Sequence, residues 1–330
     1  MKSQSVHKEI MREYESLRSA ARKEFEARKL QVYGVAPRIE EIDKELQLLG
    51  IRLSKLVLGS ASNVHDLAPE LREKSAKLRL EKETILNASG FSDDFLKLMY
   101  RCQTCEDTGY AGDEKCHCYK QKLTDRYYEA SSLKNVLQRE NFDMFNINLF
   151  SEKIDEHIGI SPRTNMERIH KACSEFIRNF LKNGTNIIFS GAAGLGKTFM
   201  CNCIAKDAMD KGCSVLYVTA PAMFKALEAY RFSNDKTEEM TERIDMLADV
   251  DLLIIDDLGS EFYTVLTGTE LFNIVNSRLL SKKPTVISTN LSETELQRIY
   301  SDRIYSRFAG NYEMLYFFGE DIRIKKRLMG

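Results

Sequence analysis

The sequence lacks an excess of charge of either sign, and it lacks any long apolar run. Lysine and arginine number 48 against 49 aspartate and glutamate residues, so no overall positive field draws the chain to nucleic acid or to a membrane. Residues 1–23 are charged throughout, without the apolar core of a signal peptide, and no apolar run approaches the ~20 residues that span a bilayer. We therefore expect a cytoplasmic protein with no membrane partner, in which any nucleic-acid surface is a local patch.

Internal repeats and low-complexity tracts are also missing from the sequence. The 330 residues are 43% hydrophobic and 29% charged, which is ordinary for a globular protein and too apolar for wholesale disorder. At the usual ~100–200 residues per domain, we expect about two domains.

The first region, 1–100, has the charge and spacing of helices. Apolar residues recur there in alternating steps of three and four, which predicts one apolar stripe along a helix. The stripe consists of Ile39, Ile42, Leu46, Leu49, Leu53 and Leu56. Pro37 suits the first turn of this helix, and 59–63 suits a turn before a second amphipathic stretch. A helical hairpin that buries its own stripe and a face that binds a partner both remain open.

Four of the eight cysteines lie close together in the sequence, at Cys102, Cys105, Cys116 and Cys118. In a reducing compartment such clustering favours a metal over disulfides, and four thiolates match a tetrahedral Zn²⁺ site. His117 is an alternative to Cys118 as the fourth ligand. A redox pair is the competing interpretation, but no thioredoxin-like βαβ pattern surrounds it. We predict a zinc-binding cluster at 101–130 with a structural metal, because protein ligands fill every position.

After a predicted linker at 131–160, the pattern changes to short β-rich runs separated by helical stretches. This alternation predicts an α/β fold at 161–330, with a parallel sheet flanked by helices. The predicted strands are 186–190, 214–218, 252–255 and 285–288.

A glycine-rich motif follows the first of these strands and precedes a helix-compatible run. It matches the P-loop pattern in full and consists of Gly191, Ala192, Ala193, Gly194, Leu195, Gly196, Lys197 and Thr198. The glycines let backbone N–H groups turn toward phosphates, and the helix N-terminus adds the positive end of its dipole. We expect Lys197 to reach the β- and γ-phosphates of ATP and the Thr198 hydroxyl to ligate Mg²⁺.

Polar side chains end two further strands. Asp256 and Asp257 follow an apolar strand, where the first carboxylate is expected to hold the Mg²⁺ shell and the second to polarise an attacking water. Asn290 follows the next strand, and we expect its amide near the γ-phosphate.

Two arginines, Arg303 and Arg307, lie four residues apart and share a face if their segment is helical. Either guanidinium is suited to stabilise charge on a phosphoryl group in transfer, although arginines at this spacing are more often solvated or paired with carboxylates.

These motifs, taken together, resemble the bacterial replicative helicase loaders of the DnaC/DnaI type, within the IstB-like group of AAA+ ATPases. The resemblance covers about residues 100–330 and rests on the cysteine cluster, 140–145, 161–163, the P-loop, 256–259, 288–290 and 302–307. It implies an ATPase that binds ATP and single-stranded DNA and associates with itself through the ATPase domain. It also implies an N-terminal, often zinc-containing, domain that grips the hexameric replicative helicase.

The resemblance further implies roles for single residues. Asn290 matches sensor 1, Arg307 the arginine finger with Arg303 as the nearby alternative, and Arg323 the sensor 2 arginine. An IstB-like helper of a transposase is the alternative function. Basic candidates for DNA contact are Lys225, Arg231 and 325–327, each of which fits a solvated face equally well.

Overall fold

The computed structural model describes residues 6–58, 64–92, 94–129, 133–183 and 185–329. The chain divides into two compact units, one formed by Met11–Asp113 and the other by Met1–Ile10 together with Glu114–Gly330. Within the described ranges, no helix combines the length and the apolar character that crossing a bilayer requires.

Helices dominate the first unit. Its principal elements are α1 (Val6–Val35, which begins in the second unit), α2 (Pro37–Leu58) and α3 (Val64–Ala88). Proline begins α2, where its missing N–H costs no intrahelical hydrogen bond. Helices α2 and α3 pack against each other, with Leu49 and Leu78 in a shared apolar cluster.

The predicted stripe on α2 is the face that this packing covers. Ile39 and Ile42 are fully buried, Leu49 is 7% exposed, and Leu46 packs at the edge of the cluster. The structure thus has the helical hairpin that the stripe predicts. The predicted turn at 59–63 and the side chain of Leu56 lie outside the described residues.

The second unit carries an α/β fold. Its helices are α4 (His117–Glu129), α5 (Leu133–Arg139), α6 (Pro162–Asn183), α7 (Lys197–Asp210), α8 (Ala220–Phe232), α9 (Glu238–Asp249), α10 (Val265–Leu280), α11 (Glu293–Ile299), α12 (Asp302–Asn311) and α13 (Ile322–Met329). Two short strands come earlier in the chain, β1 (Tyr110–Ala111) in the helical unit and β2 (Glu114–Lys115) in this one. The remaining strands of the second unit are β3 (Asn186–Ser190), β4 (Val215–Thr219), β5 (Leu252–Leu258), β6 (Thr285–Thr289) and β7 (Tyr312–Tyr316).

Strands β3 to β7 form one parallel sheet in the order β4-β5-β6-β3-β7. The four predicted strands are confirmed, although β4, β5 and β6 run one to three residues beyond their predicted ends. The sequence did not predict β7, an edge strand of which Tyr312 alone is buried. Strands β3 and β6 are buried along their whole length, as continuous apolar runs in a parallel sheet require.

This topology determines where the motifs meet. Because β6 lies between β3 and β5 and all three are parallel, their carboxyl ends share one edge of the sheet. The P-loop follows β3, the paired aspartates lie near the end of β5, and Asn290 follows β6. All of these motifs therefore open on one cleft.

The segment 131–160 is more than the linker that the sequence predicts. It contains α5 and two short 3-10 turns, Phe142–Met144 and Ile147–Leu149. Leu137 and Phe150 are buried in the same apolar core as Ile187 and Phe189 of β3. Its aromatic side chains bury apolar area against the sheet, so this segment forms one wall of the cleft.

Candidate nucleotide-binding site

Glycines shape the P-loop because other atoms approach its backbone closely. Gly194 and Gly196 have φ angles of +80° and +96°, in the left-handed region that favours glycine. A Cβ on Gly194 would lie 2.2 Å from the carboxyl carbon of Asp321, and one on Gly191 would lie 2.2 Å from the carbonyl oxygen of Phe317. The loop therefore packs under the segment before α13, and its glycine pattern has a steric reason in this chain.

Lys197 is the first residue of α7, and its side chain returns to the loop. The ammonium Nζ donates to the carbonyl oxygens of Gly191 (2.5 Å) and Ala192 (2.7 Å) and to Oδ1 of Asn290 (2.7 Å). Burial lowers the pKa of Lys197, while the carboxylates of Asp257 and Asp256 act in the opposite direction. A single buried cation thus lies among oxygen acceptors at the centre of the loop.

The carboxylate of Asp256 is surrounded by hydroxyl groups from three elements. Thr198 Oγ1 lies 3.3 and 3.2 Å from its two oxygens, Tyr217 donates to Oδ2 at 2.7 Å, and Ser288 donates to Oδ1. Asp256 is 6% exposed, so these donors satisfy a carboxylate that water barely reaches. The sequence singled out Thr198 and Asp256 but not Tyr217, because the register between two strands leaves no signal in either strand alone.

A β-bulge brings both aspartates into the cleft. Ile255 pairs with Ile287 and Leu258 with Thr289, so Asp256 and Asp257 together oppose one residue of β6. In a regular strand, consecutive side chains point to opposite faces. Here both carboxylates line the same cleft, and Asp257 adopts a φ of +60°.

Asn290 links the lysine to the second aspartate. Its Oδ1 accepts from Lys197, and its Nδ2 donates to Asp257 Oδ1 at 2.8 Å. The backbone N–H of Asp257 donates to Ser288 Oγ at 2.9 Å. The predicted sensor residue therefore lies between the two groups that the sequence assigned to phosphate binding and to water activation.

The cleft around these groups has a volume of about 890 Å³, within the usual range of small-molecule sites. Its polar lining includes the P-loop, the aspartates and Arg323. Its apolar lining includes Met144, Phe145, Leu149, Phe150, Met166 and Ile322. A cleft that combines a lysine with aromatic rings fits a nucleotide, which has charged phosphates and an aromatic base.

Glu140 also lines the cleft. Its Oε2 accepts from Nδ2 of Asn202 on α7 at 2.6 Å, and Asn202 is 2% exposed. This hydrogen bond connects the wall formed by 140–150 to the helix that follows the P-loop.

The paired arginines lie on α12, as the helical spacing predicts. Arg307 is half-buried, and its Nε donates to Oδ1 of Asn276 at 3.3 Å, with the guanidinium 5.8 Å from the Phe272 ring. Arg303 is exposed. Among the described residues, the lining of the nucleotide cleft includes Arg323 but neither of these two arginines.

Two of the basic candidates for DNA contact have acidic neighbours. Arg231 forms a short ion pair with Glu270, and Lys325 Nζ lies 4.0 Å from a Glu320 carboxylate oxygen. The side chain of Lys326 lies outside the described residues.

The four clustered cysteines meet in space. The sulfur atoms of Cys102, Cys105, Cys116 and Cys118 all lie within 4.8 Å of one another. Four thiolates at ~2.3 Å from one zinc ion would be ~3.8 Å apart, so a small contraction suffices. His117 does not belong to this group, although its Nδ1 lies 3.4 Å from Cys116 Sγ.

Hydrogen bonds from backbone N–H groups hold the loop that follows the first cysteine pair. The buried carboxylate of Asp107 accepts from the N–H groups of Arg101 (2.9 Å) and Cys102 (2.8 Å). The N–H of Gly109 donates to Cys105 Sγ at 3.4 Å. Such donors to a ligand sulfur are typical of the outer shell of a metal site, so the residues present fit zinc.

Comparison with known proteins gives consistent results. A family model described as IstB-like ATP binding protein matches residues 167–328. The replicative helicase loader DnaC of Buchnera aphidicola subsp. Baizongia pistaciae is 30% identical over 203 residues, which cover 61% of this chain and 79% of that protein. The replicative helicase loader DnaC of Escherichia coli K12 is 28% identical over 153 residues, which cover 46% of this chain and 61% of that protein. A crystal structure of the DnaC helicase loader matches with a TM-score of 0.45 and 20% identity, covering 55% of this chain and 98% of that one.

Proposed function

This chain belongs to the DnaC family of replicative helicase loaders, and we propose that it uses ATP binding and hydrolysis to load a replicative DNA helicase onto single-stranded DNA. The names of the curated relatives support the loading role. The observation that supports the ATPase is the convergence of Lys197, Thr198, Asp256, Asp257 and Asn290 on one cleft.

The P-loop residues would bind the phosphates. Lys197 already donates to three oxygens. Oxygens of the β- and γ-phosphates can replace these acceptors, so the ammonium would still be surrounded by oxygen atoms. Thr198 Oγ1 and the Asp256 carboxylate are the groups that would hold Mg²⁺. When bound, this ion neutralises charge that develops on the phosphate oxygens.

Asp257 is the group best placed to activate the attacking water. It lines the cleft beside Asp256 because of the bulge, and Asn290 orients its carboxylate. Asn290 also accepts a hydrogen bond from Lys197, so binding of the lysine to phosphate would change a contact of the amide that orients Asp257. We assign Asp257 as the base and Asn290 as the residue that aligns it.

A helper of a transposase is the alternative function. It corresponds to the IstB-like group that the matching family model describes. The two curated relatives described above are named helicase loaders, which favours the loader.

Zinc is the metal that we propose for the four-cysteine cluster. The set offers four sulfur ligands within 4.8 Å of one another, which suits a tetrahedral, closed and therefore structural site. Metal binding would order the segment between the cysteine pairs, since ligand assembly and local folding are coupled.

We expect one zinc ion per chain, held by the four cysteines. Cys118→Ser should lower the zinc content of the purified protein because it removes one of the four clustered sulfurs. His117→Ala is the matched control and should keep a full complement of zinc. Metal analysis by mass spectrometry checks both variants. Loss of zinc from His117→Ala alone would make the histidine the fourth ligand, and a wild-type protein without zinc would contradict the site.

For single-stranded DNA, we propose a contact surface near α8 and the start of α10. Lys225 is exposed on α8, which ends at Phe232 with 74% of that residue exposed. Phe262, between β5 and α10, is 94% exposed, and the Arg231–Glu270 ion pair joins α8 to α10. Exposed aromatic rings beside basic groups suit the stacking of unpaired bases in a chain without an overall positive field.

The helical unit is the part that we propose to bind the helicase. Although its stripe is largely buried, other large apolar side chains remain on its surface. Leu30, Leu48 and Leu80 are 69%, 59% and 66% exposed. Exposed apolar side chains on helices suit a partner that docks another apolar face.

We expect the double change Leu48→Glu with Leu80→Glu to weaken capture of the helicase by ~10-fold or more, because it introduces charges at an apolar contact. Neither leucine lines the nucleotide cleft, so ATP turnover should stay at the wild-type level. Leu280→Glu is the control, since Leu280 is a 78% exposed leucine on α10 of the other unit. Titration of immobilised full-length protein with helicase measures the effect. Equal capture by the double variant and the control would remove the helical unit from the proposed interface.

The loading function itself is tested by reconstitution. The protein is mixed with the replicative helicase of its host and a circular single-stranded DNA, and helicase retained on the circle is counted with ATP and without nucleotide. We expect retention that depends on this protein. If the helicase is not retained, and a transposase in a parallel mixture is, the alternative function is supported instead.

A further inference from the structure

The hydroxyl groups around Asp256 differ in how they are held. Thr198 belongs to the P-loop, and in the proposed function its hydroxyl turns to Mg²⁺. Tyr217 and Ser288 lie on β4 and β6, the two strands that flank β5. Their positions follow from the sheet and not from the loop that would bind the nucleotide. The carboxylate would therefore keep two donors when Thr198 changes partner.

The register of the sheet explains why a tyrosine reaches Asp256. Thr219 of β4 lies beside Asp256, and Tyr217 lies beside Ile254, two residues earlier. Two residues of a strand span ~6.6 Å, and all four side chains share one face of the sheet. A phenol ring is long enough to lean along the strand across that distance, and its O–H donates to Oδ2 at 2.7 Å. Phenylalanine at this position would fill the same space without the donor.

We propose that Tyr217 is a positioning residue for the Mg²⁺ site, an inference that rests on the proposed ATPase function. Its hydroxyl fixes the rotation of the Asp256 carboxylate, so that the oxygen facing the P-loop is oriented toward the ion that Thr198 shares. Ser288 does the same at Oδ1, but it also accepts from the N–H of Asp257. A change at Ser288 would disturb both carboxylates, so Tyr217 is the better position for a test of the Asp256 hydrogen bond.

The test uses full-length protein carrying Tyr217→Phe. The affinity for a fluorescent ADP is measured with excess Mg²⁺ and again with EDTA, and the ratio of the two affinities gives the contribution of the ion. We expect this ratio to fall by ~10-fold, at the low end of the 10–100-fold losses typical of outer-shell partners. Affinity in EDTA should equal that of the wild type, because Tyr217 is not expected to contact the nucleotide.

The matched control is Tyr316→Phe. Tyr316 ends β7 of the same sheet, and its hydroxyl donates to a carboxylate, Glu293 Oε2, at the similar distance of 2.8 Å. This variant loses the same kind of hydrogen bond away from Asp256, so its Mg²⁺ ratio should match the wild type.

Two outcomes would overturn the proposal. An unchanged ratio in Tyr217→Phe shows that the hydroxyl does not position the ion, and an equal loss of affinity with Mg²⁺ and with EDTA shows a structural role only. ATP turnover of the wild type is measured separately. If the wild type binds ADP with Mg²⁺ but does not hydrolyse ATP, the proposed ATPase fails, and the ratio still decides the role of Tyr217.

Discussion

Replacing Lys197 with alanine is expected to abolish ATP hydrolysis and to weaken ATP binding by ~10²–10⁴-fold, the equivalent of two charge-assisted hydrogen bonds at ~1.5–3 kcal/mol each. Lys197 is 7% exposed and is the lysine that lines the cleft. Its three present acceptors are oxygens of the loop and of Asn290, so the ammonium already lies where phosphate oxygens must be bound. Alanine removes this ammonium from the phosphates.

The matched control is Lys206→Ala. Lys206 lies on the same helix, α7, but pairs with Asp210 one turn later on the outer face. An i,i+4 pair of this kind contributes only ~0.3–0.5 kcal/mol, so the control should bind and hydrolyse ATP like the wild type. Equilibrium binding of labelled ATP and release of phosphate give the two readouts. Normal turnover by Lys197→Ala would refute the assignment of the P-loop.

Arg307→Ala is expected to reduce ATP turnover by ~10³–10⁵-fold while ATP binding stays near the wild-type level, because an arginine finger acts on the transition state. Arg307 lies on α12 and does not line the nucleotide cleft of its own chain, so we propose that it reaches the ATP of a neighbouring subunit. Arg307→Lys should be equally inactive, since a lysine lacks the planar fork of the guanidinium. Arg298→Ala, an exposed arginine on α11, is the control and should be fully active.

Mixing two inactive variants tests whether the arginine acts between subunits. Arg307→Ala keeps its own ATP site, and Lys197→Ala keeps its arginine. Some interfaces in the mixture combine a sound P-loop with a sound arginine, so part of the activity should return. No recovery from variants that demonstrably assemble together, with recovery in the same test on Arg303→Ala, would transfer the role to Arg303. Failure of both tests would leave the pair as structural residues that pack α12 against α10.

The sequence predicted the parts of the site that depend on local pattern. The P-loop is continuous along the chain, so the spacing of its glycines, lysine and threonine is enough to identify the motif. Both ends of the strand before it were predicted correctly, because a glycine-rich turn marks where the apolar run ends. Asn290 was placed beside the aspartates by a rule of topology, that parallel strands end at one edge of the sheet.

The parts that were missed depend on pairing between distant segments. The bulge at Asp256 and Asp257 requires knowledge of which residue of β6 lies opposite. Tyr217 requires the register between β4 and β5. The wall formed by 140–150 was predicted as linker because short 3-10 turns carry no helical or strand periodicity, even though their aromatic residues pack into the core.

The close approach of Asp321 and Phe317 to the P-loop has a consequence for how the protein is made. Ribosomes synthesise β3 and the loop long before the segment 312–323, yet that segment supplies β7 beside β3, the carbonyl over Gly191 and the carboxylate against Gly194. The nascent chain therefore carries a complete P-loop sequence whose surroundings are still missing. Only when residue 323 has emerged, with its side chain at the cleft, can the loop adopt the packed form described above. Until then, the P-loop has been synthesised but the residues that complete its binding site have not.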